Sequence, residues 1–222
     1  MRNWSLTPFI PRVAPFAAFI TLLAADPLLE GLADSRWVVV ARGLVVAGLL
    51  AWFWRRYEEL RSPVRMAPGE TAVALGAGVL LGVAWIALDV WWARIGADPE
   101  GFVPLRADGS LDPTLVVLRL LGFALVVPVM EELFWRSFLM RWIDRREFLT
   151  LDPRATSTMA LVLSSFAFAL EHREWLAGLL AGVVFGMIYR RSGNLRACIA
   201  SHATTNLTIA GWVLATHQWR HW

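Results

Sequence analysis

The chain has 222 residues, of which 57% are hydrophobic and only 18% are charged, and its mean hydropathy is +0.53. This composition is too apolar for an ordinary soluble domain and indicates a membrane protein with several spans. The net charge of +3 is small and the basic residues are spread over loop ends, which argues against a nucleic-acid surface. The single cysteine, Cys198, lies in an apolar run and is expected to be a small buried residue rather than a nucleophile.

Seven apolar stretches predict an all-α bundle of seven or eight transmembrane helices, forming a single membrane-embedded domain over residues 1–222. Gly76, Gly78 and Gly82 in the third stretch are typical of close helix packing in lipid. In the fourth stretch Pro128 cannot donate a backbone hydrogen bond, which predicts a broken helix just before Glu131. The stretches cover about residues 13–32, 36–54, 70–94, 113–141, 156–171, 175–189 and 197–215.

The charges of the loops predict the orientation of the chain in the membrane. Arginine-rich loops at 55–65, 141–154 and 190–196 alternate with acidic loops near 26–34 and 98–112. Cytoplasmic loops carry an excess of basic residues, so the arginine-rich loops are expected to be cytoplasmic. The N-terminus is therefore predicted on the cytoplasmic side.

Two adjacent carboxylates are the most unusual feature of the fourth stretch, because ionisable groups in hydrocarbon are costly. Glu132 precedes Arg136 by four residues, the spacing of an ion pair on one helix face. Glu131 is then left freer and is a candidate general base. The simpler alternative is a salt bridge that only holds helices together.

Two histidines lie in the later apolar stretches, and each has a partner four residues away. His172 follows Phe168, which could form a wall of the pocket or be a plain core residue, and His202 precedes Asn206. A neutral histidine can shuttle a proton with Glu131, and His202 with Asn206 can donate hydrogen bonds to an oxyanion. The fifth and sixth stretches are too short for full crossings, so the turn at 171–174 is expected to lie inside the protein.

A zinc site is the other chemistry that these residues permit. Two histidines and a glutamate are common zinc ligands, and His172, His202 and Glu131 form such a set. The usual H-E-x-x-H helix of zinc proteases is absent. The spacing leaves open whether zinc is bound or whether glutamate and histidine activate water without a metal, and no cofactor is required by the pattern.

The three motifs in this order resemble the CAAX prenyl protease and bacteriocin-processing (Abi) family of intramembrane proteases. The resemblance covers about residues 113–210, the expected catalytic core, and the length is similar to that of an exosortase-associated subset. One departure is Ser137, where the family often has glycine after the arginine. The motifs are Glu131-Glu132-x-x-x-Arg136, Phe168-x-x-x-His172 and His202-x-x-x-Asn206.

This resemblance implies an intramembrane endopeptidase of the bacterial cytoplasmic membrane that cleaves a membrane-associated peptide or protein. It implies that Glu131 activates water with His172, that His202 and Asn206 steady the oxyanion, and that Glu132 and Arg136 support them or take part, with Glu132 counted among the catalytic residues. The residues also allow a non-catalytic membrane scaffold or immunity protein, in which the motifs would be polar packing clusters. A proton-coupled transporter is disfavoured because no inverted repeat is visible.

Overall fold

The computed structural model describes residues 8–29, 31–61, 66–96 and 101–222. Seven long helices dominate these residues, with one isolated β-bridge between Leu105 and Leu111, so the all-α prediction is confirmed for the described part of the chain. Each helix corresponds to one predicted apolar stretch. They are α1 (Ile10–Leu29), α2 (Ser35–Trp52), α3 (Pro68–Ala87), α4 (Pro113–Asp144), α5 (Thr158–Glu171), α6 (Trp175–Ser192) and α7 (Leu195–Thr216).

Four of these helices, α1 to α4, are long and apolar enough to cross a membrane. The apolar side chains that they expose fit a lipid environment, since Leu80 of α3 is 72% exposed and Leu28 of α1 is 77% exposed. Helix α5 is apolar but has only 14 residues, which is too short for a full crossing. The protein is therefore a helical membrane protein, while the predicted count of seven or eight spans is not confirmed.

Local sequence signals set the ends of the helices. The side chains of Asp34, Ser157 and Asn194 each accept a hydrogen bond from a backbone N–H in the first turn of α2, α5 and α7. Asp112 does the same for α4, whose first residue is a proline. Gly193 ends α6 with a φ of 69°, a left-handed conformation that glycine adopts without strain.

Helix α3 is shorter than predicted, because the chain leaves the helix after Ala87 instead of continuing to 94. The reason is the buried side chain of Asp89, which is 2% exposed and lies among basic partners. Its carboxylate is 3.2 Å from Arg94, 3.1 Å from Arg220 and 3.2 Å from His221. These ion pairs hold the segment after α3 against the C-terminal residues.

The turn at 171–174 is half-buried, as the short helices predict. Its backbone is paired with the segment after α3, since the Arg173 carbonyl accepts a hydrogen bond of 2.8 Å from the Ile95 N–H. The turn is therefore covered by other parts of the chain.

Small residues bring two pairs of helices into close contact. A side-chain carbon on Gly82 of α3 would lie 2.6 Å from Thr208 of α7, and the Gly78 carbonyl accepts a hydrogen bond from Thr205. A carbon on Gly182 of α6 would lie 2.9 Å from the backbone of α5. Packing of α3 through Gly78 and Gly82 is confirmed, whereas Gly76 has no neighbour within 4 Å and takes no part.

The predicted break near Pro128 is wrong, because α4 is helical throughout Pro113–Asp144. Its hydrogen-bond register widens instead, and Gly122–Val126 and Leu133–Met140 are π-helical. The Val127 N–H accordingly donates to the Gly122 carbonyl, five residues earlier. A wider turn just before the proline makes room for its ring, so the helix absorbs Pro128 without ending.

Residues 62–65 and 97–100, which contribute to two of the loops used to predict orientation, lie outside the described residues. The predicted orientation stays a prediction.

Candidate active site

The structure brings the glutamate motif of α4 and the histidine of α7 into direct contact. Glu132 and Arg136 are both fully buried, and the Arg136 Nε lies 3.3 Å from the Glu132 Oε2. The other oxygen of Glu132, Oε1, lies 3.0 Å from the Nδ1 of His202. The predicted ion pair is thus formed, and Glu132 additionally orients a histidine that is 70 residues away in sequence.

Arg136 is held by aromatic rings as well as by its carboxylate. Its guanidinium carbon lies 4.8 Å from the centre of the Phe168 ring and 5.7 Å from that of Phe185. Within the described residues its two terminal nitrogens have no hydrogen-bond acceptor. The faces of the two rings therefore provide part of the compensation for a charge that is shielded from water.

Glu131 is the less constrained of the two carboxylates. It is 4% exposed, and its Oε2 lies 3.9 Å from the Nε2 of His202, too far for a direct hydrogen bond. That oxygen has no hydrogen-bond partner among the described residues. His202 therefore lies between the two glutamates, with one ring nitrogen bonded to Glu132 and the other facing Glu131.

His172 lies next to this cluster, and its ring and that of His202 both neighbour the Phe168 ring. The ring centre of Phe168 is 4.5 Å from that of His172 and 6.3 Å from that of His202. The His172 Nδ1 is 2.8 Å from the Phe168 carbonyl, which can only accept, so this nitrogen carries the proton. In the neutral ring the Nε2 is then left with a free lone pair. In the described structure no hydrogen bond joins His172 to either glutamate.

Asn206 was expected to donate a hydrogen bond to an oxyanion, but in the structure it donates to a backbone carbonyl. Its Nδ2 donates a hydrogen bond of 2.7 Å to the Phe123 carbonyl in the π-helical part of α4. In that register the Phe123 carbonyl would be paired with the N–H of residue 128, and proline has none. Asn206 thereby satisfies a buried carbonyl that Pro128 leaves unpaired, and it ties α7 to the helix that carries the glutamates.

Two further polar groups border the site, and the motifs alone did not indicate them. The indole N–H of Trp135 donates a hydrogen bond of 3.1 Å to the Oε2 of Glu171. Glu171 is close enough to Glu131 for their charges to interact. The available signal was the position of Glu171, since it is an acidic residue at the end of an apolar helix and directly precedes His172.

The predicted zinc ligands do not fit a metal centre as they are arranged. In the part of the chain that the structure describes, no group of three or more histidine, cysteine or acidic side chains is placed to hold a metal ion. Each histidine keeps its Nε2 free while its Nδ1 contacts the Phe168 carbonyl or Glu132, as in a metal ligand, so it is the placement of the three side chains that does not fit a metal ion.

Cys198 is fully buried on α7, and its thiol lies 3.4 Å from the Phe185 carbonyl. This agrees with its expected structural role.

Residues 113–208 match the protein family described as type II CAAX prenyl endopeptidase Rce1-like. No curated protein and no solved structure matches the chain. The matched segment contains all three motif pairs and agrees closely with the expected catalytic core of 113–210. Over residues 113–208 this chain is therefore a match to the Rce1-like family of type II CAAX prenyl endopeptidases, as its motifs indicated.

Proposed function

We propose that this protein is an intramembrane endopeptidase that hydrolyses a peptide bond of a membrane-associated protein or peptide, with Glu131 as the general base. The observation that carries the proposal is the position of His202 between two buried glutamates, 3.0 Å from one and 3.9 Å from the other. The family match supports protease activity in general terms.

The charges of the site favour one additional proton on the Glu131–His202 pair. Glu131 and Glu132, when ionised, together with Arg136 leave a net charge of −1 in a region from which water is largely excluded, and the nearby Glu171 adds further negative charge. A buried net charge is costly, so a proton is held between Glu131 and the Nε2 of His202. When that proton is on His202, Glu131 is an ionised base and the Nε2 is a hydrogen-bond donor. These are the two groups that peptide hydrolysis needs.

The reaction then follows from these two groups. Glu131 removes a proton from water as the water oxygen bonds to the peptide carbonyl carbon, and the carbonyl oxygen becomes an oxyanion. The His202 Nε2–H donates to that oxyanion, while Glu132 holds the Nδ1 side of the ring in place. The C–N bond breaks when Glu131 returns its proton to the leaving amine. One water is consumed, and a carboxylic acid and an amine are formed.

The remaining motif residues position these groups. His172 has an unprotonated Nε2, an acceptor that can orient the water, and Phe168 forms an apolar wall beside both histidines. Asn206 keeps α4 and α7 in register through the Phe123 carbonyl. We further propose that the enzyme acts in a bacterial cytoplasmic membrane with its N-terminus inside, as the loop charges indicate.

The test compares the termini of membrane peptides in cells that carry the wild-type chain, Glu131→Gln or Glu147→Gln at matched expression. Glutamine keeps the shape of glutamate but cannot act as a base, so Glu131→Gln should lower cleavage by about 10²–10⁴-fold. Glu147 is exposed, and its substitution is a control that removes the same charge outside the site. Folding of all three proteins is checked by thermal unfolding after purification.

Cleaved ends that are present in wild type and Glu147→Gln but absent in Glu131→Gln would support the proposal and identify the substrate. The same ends in all three strains, with all three proteins folded, would refute the role of Glu131. No chain-dependent ends in any strain would instead favour the non-catalytic scaffold.

A further inference from the structure

A second polar site lies away from the glutamates, in a groove between α1 and α2. Its walls are mostly apolar, and it includes Leu22 and Val45 on opposite helices. Two charged side chains, Asp26 and Arg42, line the same groove. A charged pair in an apolar groove of two membrane-spanning helices is costly and calls for a partner.

The charged pair has unused hydrogen-bonding capacity. The Arg42 Nη1 is 2.5 Å from the Oδ2 of Asp26, and the guanidinium lies over the Phe19 ring at 5.2 Å. The other N–H groups of Arg42 have no acceptor among the described residues. The Oδ1 of Asp26 is buried without a hydrogen-bond donor in the same part of the structure. The groove thus offers both donors and an acceptor to a ligand.

The local charge is positive, because a second arginine lies near Arg42. Arg119 of α4 interacts electrostatically with Arg42, and its guanidinium lies 5.4 Å from the Phe102 ring and 5.2 Å from the Phe123 ring. Its Nε has no acceptor among the described residues. Arg42, Arg119 and Asp26 together carry a net charge of +1 in the described structure, and Asp26 pairs with Arg42. An anion would compensate that charge.

The depth of the groove agrees with the headgroup region of a bilayer. Trp37, which lines the groove and is 49% exposed, is in the first turn of α2. Asp26 is in the last turn of α1, which ends at Leu29. Tryptophan is enriched where hydrocarbon meets water, so the charged pair is expected at the level of lipid phosphates.

We propose that this groove binds one anionic phospholipid with a hydroxyl-bearing headgroup, such as phosphatidylglycerol. The lipid phosphate accepts hydrogen bonds from Arg42 and is attracted by Arg119, and a headgroup hydroxyl donates to the Oδ1 of Asp26. An acyl chain lies along Leu22 and Val45. This site is independent of the proposed peptidase activity.

The test is native mass spectrometry of the detergent-purified chain with phosphatidylglycerol, phosphatidylcholine or inorganic phosphate. Wild type should retain phosphatidylglycerol in preference to phosphatidylcholine, and inorganic phosphate should bind far more weakly because it lacks the acyl chains. Arg42→Gln and Arg119→Gln should each weaken phosphatidylglycerol binding about fivefold, the effect of one arginine near a lipid surface. Arg36→Gln is the matched control, because Arg36 is on the same helix and also pairs with an aspartate, Asp34, but does not line the groove.

Three outcomes would overturn the proposal. Equal affinity for the two lipids would show that charge is not recognised. Unchanged binding in Arg42→Gln, relative to Arg36→Gln, would place the lipid elsewhere. Binding of inorganic phosphate as tight as that of phosphatidylglycerol would make this a site for free anions. If Arg42→Gln does not fold, Arg119→Gln decides alone, since Arg119 has no carboxylate partner to leave unpaired in the described structure.

Discussion

Replacing Arg136 with methionine is expected to destabilise the protein by about 3–5 kcal/mol, because the change leaves Glu132 as a buried charge without its cation. Both side chains are 0% exposed, so water cannot compensate for the loss. The hydrogen bond from His202 to the other oxygen of Glu132 gives partial compensation. The loss is therefore expected near the lower end of that range.

A double-mutant cycle isolates the contribution of the pair. Glu132→Gln alone should also destabilise, since it removes the negative charge that pairs with the buried guanidinium of Arg136. Combining it with Arg136→Met removes both charges, so the double variant should lose less than the sum of the single losses. A difference of about 1–3 kcal/mol is expected for groups in direct contact.

The assay is equilibrium unfolding of the purified protein in mixed micelles, with the fraction folded measured as denaturing detergent is added. Arg145→Met is the control, because Arg145 is exposed just after the end of α4 and its loss should change stability little. Additive losses in the cycle would refute the conclusion that Glu132 and Arg136 stabilise the fold as a pair. A loss in Arg136→Met no larger than that in Arg145→Met would refute it as well.

Two further predictions concern backbone packing, and thermal unfolding of the purified variants measures both. Asn206→Ala should cost about 1–3 kcal/mol, because the buried Phe123 carbonyl loses its donor. Asn206→Ala should cost less stability in a Pro128→Ala background, because residue 128 then regains an N–H that can pair with the Phe123 carbonyl. An equal loss of stability in both backgrounds would contradict the conclusion that Asn206 replaces the missing N–H of Pro128. Gly182→Val should destabilise strongly, since an added carbon would lie 2.9 Å from α5, whereas Gly76→Val has free space and should change stability little. Equal effects at the two glycines would contradict the close contact of α5 and α6.

The helices were predictable because each depends on a local property of the chain. A long apolar stretch favours a helix in the membrane, and residues such as Asp112 and Ser157 provide caps within the first turn. The exceptions depend on distant residues. Helix α3 ends early because Asp89 pairs with Arg220 and His221, which are more than 130 residues away.

The contacts between site residues were predictable only where both residues belong to the same motif. A spacing of four residues places Glu132 and Arg136 on the same face of one helix, and their ion pair follows from helix geometry. The same rule could not reveal that Glu132 also binds His202, because that contact depends on how α4 and α7 pack. It also could not predict that Asn206 bonds to the Phe123 carbonyl, since that carbonyl is unpaired only when the helix widens before Pro128.

The sequence by itself determined a helical membrane protein, the motif pairs within single helices, and the family that residues 113–208 match. The tertiary structure alone decided that α4 continues through Pro128, that His202 lies between Glu131 and Glu132, and that the proposed zinc ligands do not form a set. The physical reason is the separation in sequence between the residues that interact. Helix periodicity fixes the relative positions of residues a few places apart, whereas contacts between helices depend on packing of small residues such as Gly78 and Gly82, and on burial summed over the whole bundle.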